Sequence, residues 1–249
     1  MAVDEALLLS FDPAGSLPIL RLYGWQPAAL SLGRFQDAAG VLDLERCRAA
    51  GVPVVRRITG GGVIYHADEL TYSIVCAPHH LPGASSIKES FRQLTAFLLL
   101  FYTKLGFHPC YAADASPGQR FGERTPFCFA GKESYDILIQ GKKIGGNAQR
   151  RLKEVIFQHG SIPLCNRSEE GGEFMRERPD GIGAQTFSLA QADVGEDAAG
   201  FNFLLAESFM EAMGVVLKVG KLTTQEEESS VRLLSTYQDD AWNLHSETA

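Results

Sequence analysis

The sequence predicts an α+β fold on three observations. Short apolar runs bounded by Gly or Pro recur along the chain, as strands do. Other segments space their apolar residues by three and four, as amphipathic helices do. The two kinds mix without the regular strand–helix alternation of a parallel sheet, which favours α+β over α/β. The 249 residues, 45% hydrophobic and 21% charged, fit one large domain able to bury a real core.

Taken in order, Ile19 to Tyr23 and Ala28 to Leu32 are short apolar runs separated by Gly24 and Pro27, and read as a strand pair. Asp43 to Ala50 reads as a short helix that Gly51 closes in a left-handed conformation. Val52 to Arg57, Val63 to His66 and Leu70 to Val75 are strand-like. A helix opens at Ser86, with Glu89 three residues on completing a capping box. Its stripe of Ile87, Phe91, Leu94, Leu98, Phe101 and Leu105 is expected to be buried, and Gly106 ends it. Ala112 to Pro126 reads as a loop. Tyr135 to Ile139 and Lys142 to Asn147 follow as hairpin arms joined by Gln140-Gly141. Val155 to Leu164 is a further strand, and helices near Phe201 to Met213 and Thr224 to Tyr237 finish the chain.

Composition removes several function classes. A formal net charge of −7 gives no general attraction to nucleic acid or to anionic membranes. Cys47, Cys76, Cys110, Cys128 and Cys165 are an odd set without CxxC spacing, which argues against a disulfide framework and a structural zinc site. They suit a reducing compartment. The start, Met1-Ala-Val-Asp-Glu-Ala, is acidic where a signal peptide is basic. Leu94 to Tyr102 is about half the length of a membrane span. A cytoplasmic protein is expected.

Three segments carry chemistry. In Arg56-Arg57-Ile58-Thr59-Gly60-Gly61-Gly62-Val63-Ile64-Tyr65-His66, three glycines remove every Cβ. Their amides can approach a ligand and cradle an anion or carbonyl oxygen, with the arginines as a charged fork. The plain alternative is a flexible turn with solvated arginines, and no Walker A pattern is present. The second segment is Gly141-Lys142-Lys143-Ile144-Gly145-Gly146-Asn147-Ala148-Gln149-Arg150-Arg151, leading into Gln158-His159-Gly160-Ser161-Ile162. One of its lysines can point into a cleft walled by backbone, or both can be solvated; His159 is equally a ligand contact or a core histidine. The third is Cys128, in Pro126-Phe127-Cys128-Phe129, either a small buried hydrophobe or a nucleophile whose thiolate a nearby lysine favours.

Together these segments resemble the lipoate/biotin ligase and octanoyltransferase superfamily. The resemblance runs from Met1-Ala-Val-Asp-Glu-Ala-Leu-Leu through Arg21-Leu-Tyr-Gly-Trp25 and Leu32-Gly-Arg-Phe-Gln36 to Tyr237-Gln-Asp-Asp-Ala-Trp242-Asn243. Within the superfamily the chain looks like the Cys-dependent octanoyltransferases of the Gram-positive type. Cys128-Phe129, then Ser134-Tyr135 and the lysine hairpin, match that pattern, although Ile58 stands where it carries Pro. The Arg-Asn-Asp segment of the ligases is absent, and the chain stops at Ala249 where large ligases continue into an accessory domain. The Gly-Arg-Gly-Arg loop of biotin ligation has no counterpart.

The resemblance implies a single catalytic domain over residues 1–249, with a mixed sheet flanked by helices like the core of biotin and lipoate ligases. It implies Cys128 and Lys143 as catalytic residues. Arg57, Gly60, Gly61, Gly62, Val63, Ile64, Tyr65 and His66, with Gly145, Gly146, Asn147, Ala148, His159 and Gly160, are expected to line a narrow apolar tunnel for the acyl chain. Amides near Gly145, Gly146 or Ala148 are expected to hold an oxyanion. The implied donor is an octanoyl acyl carrier protein. The implied acceptor is a lysine of a glycine-cleavage H protein or lipoyl domain, with no metal and no cofactor. Two alternatives stay open: a lipoate ligase using ATP and Mg, and a non-catalytic acyl-binding protein.

Overall fold

The computed structural model describes residues 1–119, 121, 125–191 and 198–246. The chain opens with helix α1 (Ala2–Ser10) and strands β1 (Ile19–Tyr23) and β2 (Ala29–Leu32). Two short helices follow, α2 (Ala38–Val41) and α3 (Leu44–Ala49), then β3 (Val54–Arg56), β4 (Ile64–His66) and β5 (Glu69–Cys76). After the long helix α4 (Ile87–Lys104) come β6 (Cys110–Tyr111), α5 (Ala112–Ala115), β7 (Ile137–Ile139) and β8 (Lys142–Lys143). Next come β9 (Gly146–Leu152), β10 (Val155–Pro163), α6 (Ser168–Gly172) and α7 (Ile182–Gln185). Helices α8 (Ala198–Met213), α9 (Thr224–Gln238) and α10 (Asp240–His245) complete it.

The α+β class holds. Among the described residues the strands form three sheets: an antiparallel β1-β5-β10-β9, a mixed β3-β2-β4 and a small antiparallel β6-β7-β8. Every residue of β5 and β10 is buried, because helices cover both faces of the large sheet. Leu94, Phe97 and Phe101 of α4 and Leu205 and Phe209 of α8 pack on Tyr72, Ile74 and Ile156. Leu7 and Leu8 of α1, with Tyr237 and Trp242, pack on Val75 and Phe157 of the opposite face.

Local signals set several boundaries. Asp43 caps α3 by accepting from the Arg46 amide, and Gly51 follows at φ +65°. Ser86 Oγ accepts from the Glu89 amide at 3.1 Å. The return arm of that cap reaches one residue further than expected, since Glu89 Oε2 accepts from the Ser85 amide at 2.8 Å. Gly106, at φ +85°, ends α4.

Four expectations change. The runs Ile19 to Tyr23 and Ala28 to Leu32 do not pair: β1 is an edge strand beside β5, whereas β2 lies between β3 and β4 with all four residues buried. The Lys142 to Asn147 arm is two strands, β8 in the small sheet and β9 in the large one. Ile87, expected in the buried stripe, is 62% exposed, because α4 meets the core from Ser90 and Leu94 onward. The loop expected over Ala112 to Pro126 begins as helix α5, and residues 120 and 122–124 of it lie outside the described residues. Helix α1 itself had no sequence signal. It buries Asp4, Ala6, Leu7 and Leu8 against α9 and the sheet, and nine residues of helix depend on such packing rather than on propensity.

Candidate active site

Two backbone devices bring Cys128 and Lys143 together. The glycine loop runs beside the Cys128 segment, with the Val63 amide donating to Pro126 O at 2.8 Å and the Cys128 amide donating to Val63 O at 2.9 Å. The approach is close enough that a Cβ on Gly62 would lie 2.8 Å from the Cys128 nitrogen. On the other side, Gln140 (φ +53°) and Gly141 (φ +75°) turn β7 into β8, the left-handed pair that a two-residue hairpin favours. Successive strand side chains then diverge: Lys142 is half-buried and Lys143 is 2% exposed. Gly145, at φ +73°, carries the chain into the large sheet, and Gly146 packs against the thiol, where a Cβ would lie 2.7 Å from Cys128 Sγ.

The Lys143 ammonium is the electrostatic centre. Its Nζ donates to Cys128 O at 2.8 Å and Gly131 O at 3.0 Å, pairs with Asp136 Oδ2 at 2.7 Å, and sits 3.8 Å from Cys128 Sγ. Asp136 is fixed in turn by the Glu133 amide, which donates to Oδ2 at 2.7 Å. Burial works against the ammonium, but attraction to Cys128 and Asp136 outweighs it and holds the Lys143 pKa above the ordinary lysine value. Asp136 had not been singled out in the sequence; seven residues from Lys143 and across a turn, it carries no motif of its own.

A cavity with about 400 Å³ of empty space, part of it open to solvent, has Cys128 on its wall. It brings together Arg57, Gly61, Ile64, His66, Cys128, Gly146, Asn147, Ala148, His159 and Gly160 of the expected residues. Lys143 lies directly behind Cys128. Five others do not line it, for identifiable reasons. Val63 is fully buried with both backbone groups paired to the Cys128 segment. Tyr65 alternates to the far face of β4 and donates its hydroxyl to Glu170 Oε1 at 2.7 Å. Gly60 and Gly62 turn their carbonyls to Arg57, at 2.7 and 2.8 Å. Gly145 backs onto the Ser161 carbonyl, where any Cβ would fall 2.0 Å away.

Neither arginine is the solvated or anion-binding group first expected. Arg57 is buried and spends its donors on Ser31, Gly60 and Gly62, so it braces the glycine loop from inside. Desolvation there brings its pKa down to about 10, although the Cys128 charge opposes the fall. Arg56, fully buried, donates to the carbonyls of Gly33, Arg34, Gln36, Trp242 and Leu244, tying the last helix to the loop after β2. His159 is a core histidine: burial and then the Arg57 charge push its pKa down to about 3, and its Nε2 shares a 2.7 Å hydrogen bond with Thr59 Oγ1.

The cavity is apolar beside Ile64 and Gly146 but not throughout. Met1, Trp25, Ser31, Thr71 and Ser161, none of them foreseen, line it with His66. His66 Nδ1 lies 2.7 Å from Glu69 Oε1 and its Nε2 lies 2.7 Å from Ser31 Oγ. Trp25 stacks on the imidazole with ring centroids 4.0 Å apart.

Among the described residues no cluster of three His, Cys, Asp or Glu is placed to hold a metal ion, and no helix is long and apolar enough to cross a membrane. A lysine-paired thiol on the wall of a cavity defines a class of catalytic domain with a cysteine nucleophile. Residues 1–194 match the lipoyl protein ligase A/B catalytic domain, and the chain belongs to that family.

Within it, the chain is 36% identical over 256 residues to Octanoyltransferase LipM of Kyrpidia tusciae, covering 98% of this chain and 93% of the relative. It is 35% identical over 258 residues to Octanoyltransferase LipM of Symbiobacterium thermophilum, with 98% and 93% covered. Among solved structures it resembles a lipoate-protein ligase A bound with ATP, with a TM-score of 0.81 at 23% identity, over 98% of this chain and 92% of that one. The bipartite lipoate protein ligase of Thermoplasma acidophilum gives a TM-score of 0.80 at 23% identity, over 100% and 91%. At that identity the likeness speaks for the fold alone, and it matches the expected ligase-type core.

Proposed function

We propose that this chain is an octanoyltransferase that moves an octanoyl group from an acyl carrier protein to a lysine of a lipoyl-accepting protein through a thioester on Cys128. The observation that carries the reading is the Cys128–Lys143–Asp136 array: a thiol on the wall of a cavity, with a buried ammonium 3.8 Å behind it and a carboxylate holding that ammonium in place.

The Cys128 thiolate attacks the donor's carbonyl carbon. The carbon–sulfur bond to the phosphopantetheine arm breaks, and that sulfur leaves with the electron pair and takes up a proton. The acyl chain lies along Ile64, Gly61 and Gly146 on the cavity wall. The acceptor's ε-amine then attacks the thioester; the carbon–sulfur bond breaks, and the leaving Cys128 sulfur, beside Lys143, takes up the amine's proton as the amide forms. The donor is already activated, so the chemistry needs no ATP and no metal. The natural acceptor is a glycine-cleavage H protein or a lipoyl domain. The cytoplasm is the fitting compartment, since all five cysteines are free and thiols stay reduced there.

The test is transfer from octanoyl carrier protein to an H protein with ATP omitted. Amide formation by the wild-type chain and its loss in Cys128→Ser support the proposal. Transfer that demands ATP and survives Cys128→Ser identifies an adenylate-forming ligase instead, and stoichiometric acyl binding without turnover identifies a binding protein.

A further inference from the structure

The second half of this reaction needs a base that the cysteine–lysine pair does not provide. A lysine ε-amine is protonated at neutral pH, so it must lose one proton to become a nucleophile and a second as it becomes an amide. Lys143 is unsuited to take the first. It is held as an ammonium, and its hydrogens are directed at Cys128 O, Gly131 O and Asp136. His159 is too weak a base, with its pKa near 3 and its Nε2 bonded to Thr59. Arg57 is a guanidinium. Two groups with a basic nitrogen remain on the cavity wall, the Met1 α-amine and His66, and of these His66 has a hydroxyl and a carboxylate hydrogen-bonded on either side of it to carry a proton.

The hydrogen bonds around His66 run in one direction. Trp25 Nε1 donates to Thr71 Oγ1 at 3.0 Å, so the Thr71 hydroxyl donates onward to Glu69 Oε1 at 2.6 Å. The Ser161 hydroxyl donates to Glu69 Oε2. A carboxylate only accepts, so the 2.7 Å contact of Glu69 with His66 Nδ1 places the imidazole hydrogen on Nδ1. Nε2 is then left as an acceptor facing Ser31 Oγ, 2.7 Å away. Ser31 Oγ also accepts from Arg57 Nη1 at 3.2 Å, so its own hydrogen points to His66. Ser31 and His66 are both cavity-lining and lie on adjacent antiparallel strands, β2 and β4.

We infer that Ser31, His66 and Glu69 form a proton relay that takes the first of these protons from the acceptor lysine, freeing its amine to attack the Cys128 thioester. This rests on the transfer reading above. The acceptor's ammonium passes one proton to Ser31 Oγ, whose own hydrogen moves to His66 Nε2. The freed amine's N–C bond then forms and the C–S bond breaks, with the electron pair going to Cys128 sulfur beside the Lys143 ammonium and the amine's second proton going to that sulfur. The resulting imidazolium is stabilised by Glu69 and returns its proton to solvent between turnovers. The charged or titratable groups around His66 are Glu69 on its Nδ1 side and Arg57 beyond Ser31, with His159, the Met1 α-amine and Cys128 elsewhere on the cavity wall. The relay acts only in the second half-reaction, because the donor thioester brings no ammonium to deprotonate.

That restriction supplies the test. The wild type, His66→Gln, Glu69→Gln and Ser31→Ala are each loaded with octanoyl on Cys128. Discharge is then followed in single turnover to the acceptor lysine and, separately, to hydroxylamine, a weakly basic amine that is unprotonated at neutral pH. In His66→Gln, discharge to lysine should fall about 10²-fold or more beyond any change in loading, the usual range of general base catalysis. Hydroxylamine discharge should hold, and lysine discharge should recover as the pH rises towards the free amine's value of about 10.4. Ser31→Ala and Glu69→Gln should show the same split to a smaller degree, which keeps the inference testable if one variant fails to fold. Equal slowing towards both nucleophiles, or unchanged lysine discharge, would overturn the relay. A wild-type chain that forms no Cys128 thioester instead overturns the transfer reading beneath it.

Discussion

Replacing Lys143 by Met separates its two roles, because the thioether keeps the volume and removes the charge. Two unit charges about 4 Å apart at an effective dielectric of about 20 interact by about 4 kcal/mol, and Nζ lies 3.8 Å from Cys128 Sγ. That figure is a ceiling, since the cavity admits water to the thiol once the ammonium is gone. One-third to two-thirds of it still corresponds to roughly tenfold to hundredfold slower alkylation of Cys128 by iodoacetamide at pH 7, at about 1.36 kcal/mol per decade. The same substitution strands Asp136, which is 6% exposed. An unpaired buried charge costs about 3–5 kcal/mol, and at about 2–4 °C per kcal/mol for a chain of this size the Tm falls by roughly 6–20 °C. Adding Asp136→Asn removes the stranded charge and should recover most of the Tm while leaving alkylation slow. Lys142→Met, on the opposite face of β8, should change neither. Alkylation at the wild-type rate in the folded double variant would refute the claim that Lys143 activates the thiol.

Three further outcomes follow from the geometry. Gly146→Ala puts a Cβ 2.7 Å from Cys128 Sγ; the thiol must leave its place, so transfer should fall at least about tenfold while the Tm holds within a few degrees, read by kinetics and calorimetry. His159 has a folded-state pKa of about 3 against 6.5 for the free side chain, so on acidification the unfolded chain takes up the proton first. Stability should therefore be lost as pH falls through that window, by up to about 1.4 kcal/mol per pH unit, and His159→Gln should flatten urea-derived stability over the same range. Arg150 and Arg151 lie on the edge strand β9 rather than in a turn after the hairpin. If they guide an acidic acceptor to a chain of net charge −7, Arg150→Glu with Arg151→Glu should slow acceptor transfer most at low salt, and a wild-type rate there would exclude this edge as the docking site.

What the sequence disclosed was local. The Ser86 cap, the Gly106 stop, the Gln140-Gly141 turn and the opposed faces of Lys142 and Lys143 each depend on a few adjacent residues, and each appears in the structure. The juxtaposition of Cys128 with Lys143 came from resemblance to a family, since two residues fifteen apart give no periodicity to read. What stayed hidden was non-local. Arg56 looked like a ligand-binding charge because its partners include carbonyls up to 188 residues away in sequence. The division of strands among sheets depends on which helices cover β5 and β10, and no strand encodes that alone. Ser31 and Glu69 converge on His66, the last residue of the glycine-loop motif, only because β2 pairs with β4 and the chain turns back into β5; those two are unremarkable polar residues until then.

The central claim is covalent capture at Cys128, and intact mass spectrometry after incubation with octanoyl carrier protein, without ATP, tests it most directly. The account predicts an adduct of one octanoyl group, labile to hydroxylamine, that peptide mapping places on Cys128 and that lysine acceptor removes. No adduct without ATP, or an adduct on Cys47, Cys76, Cys110 or Cys165, would contradict it.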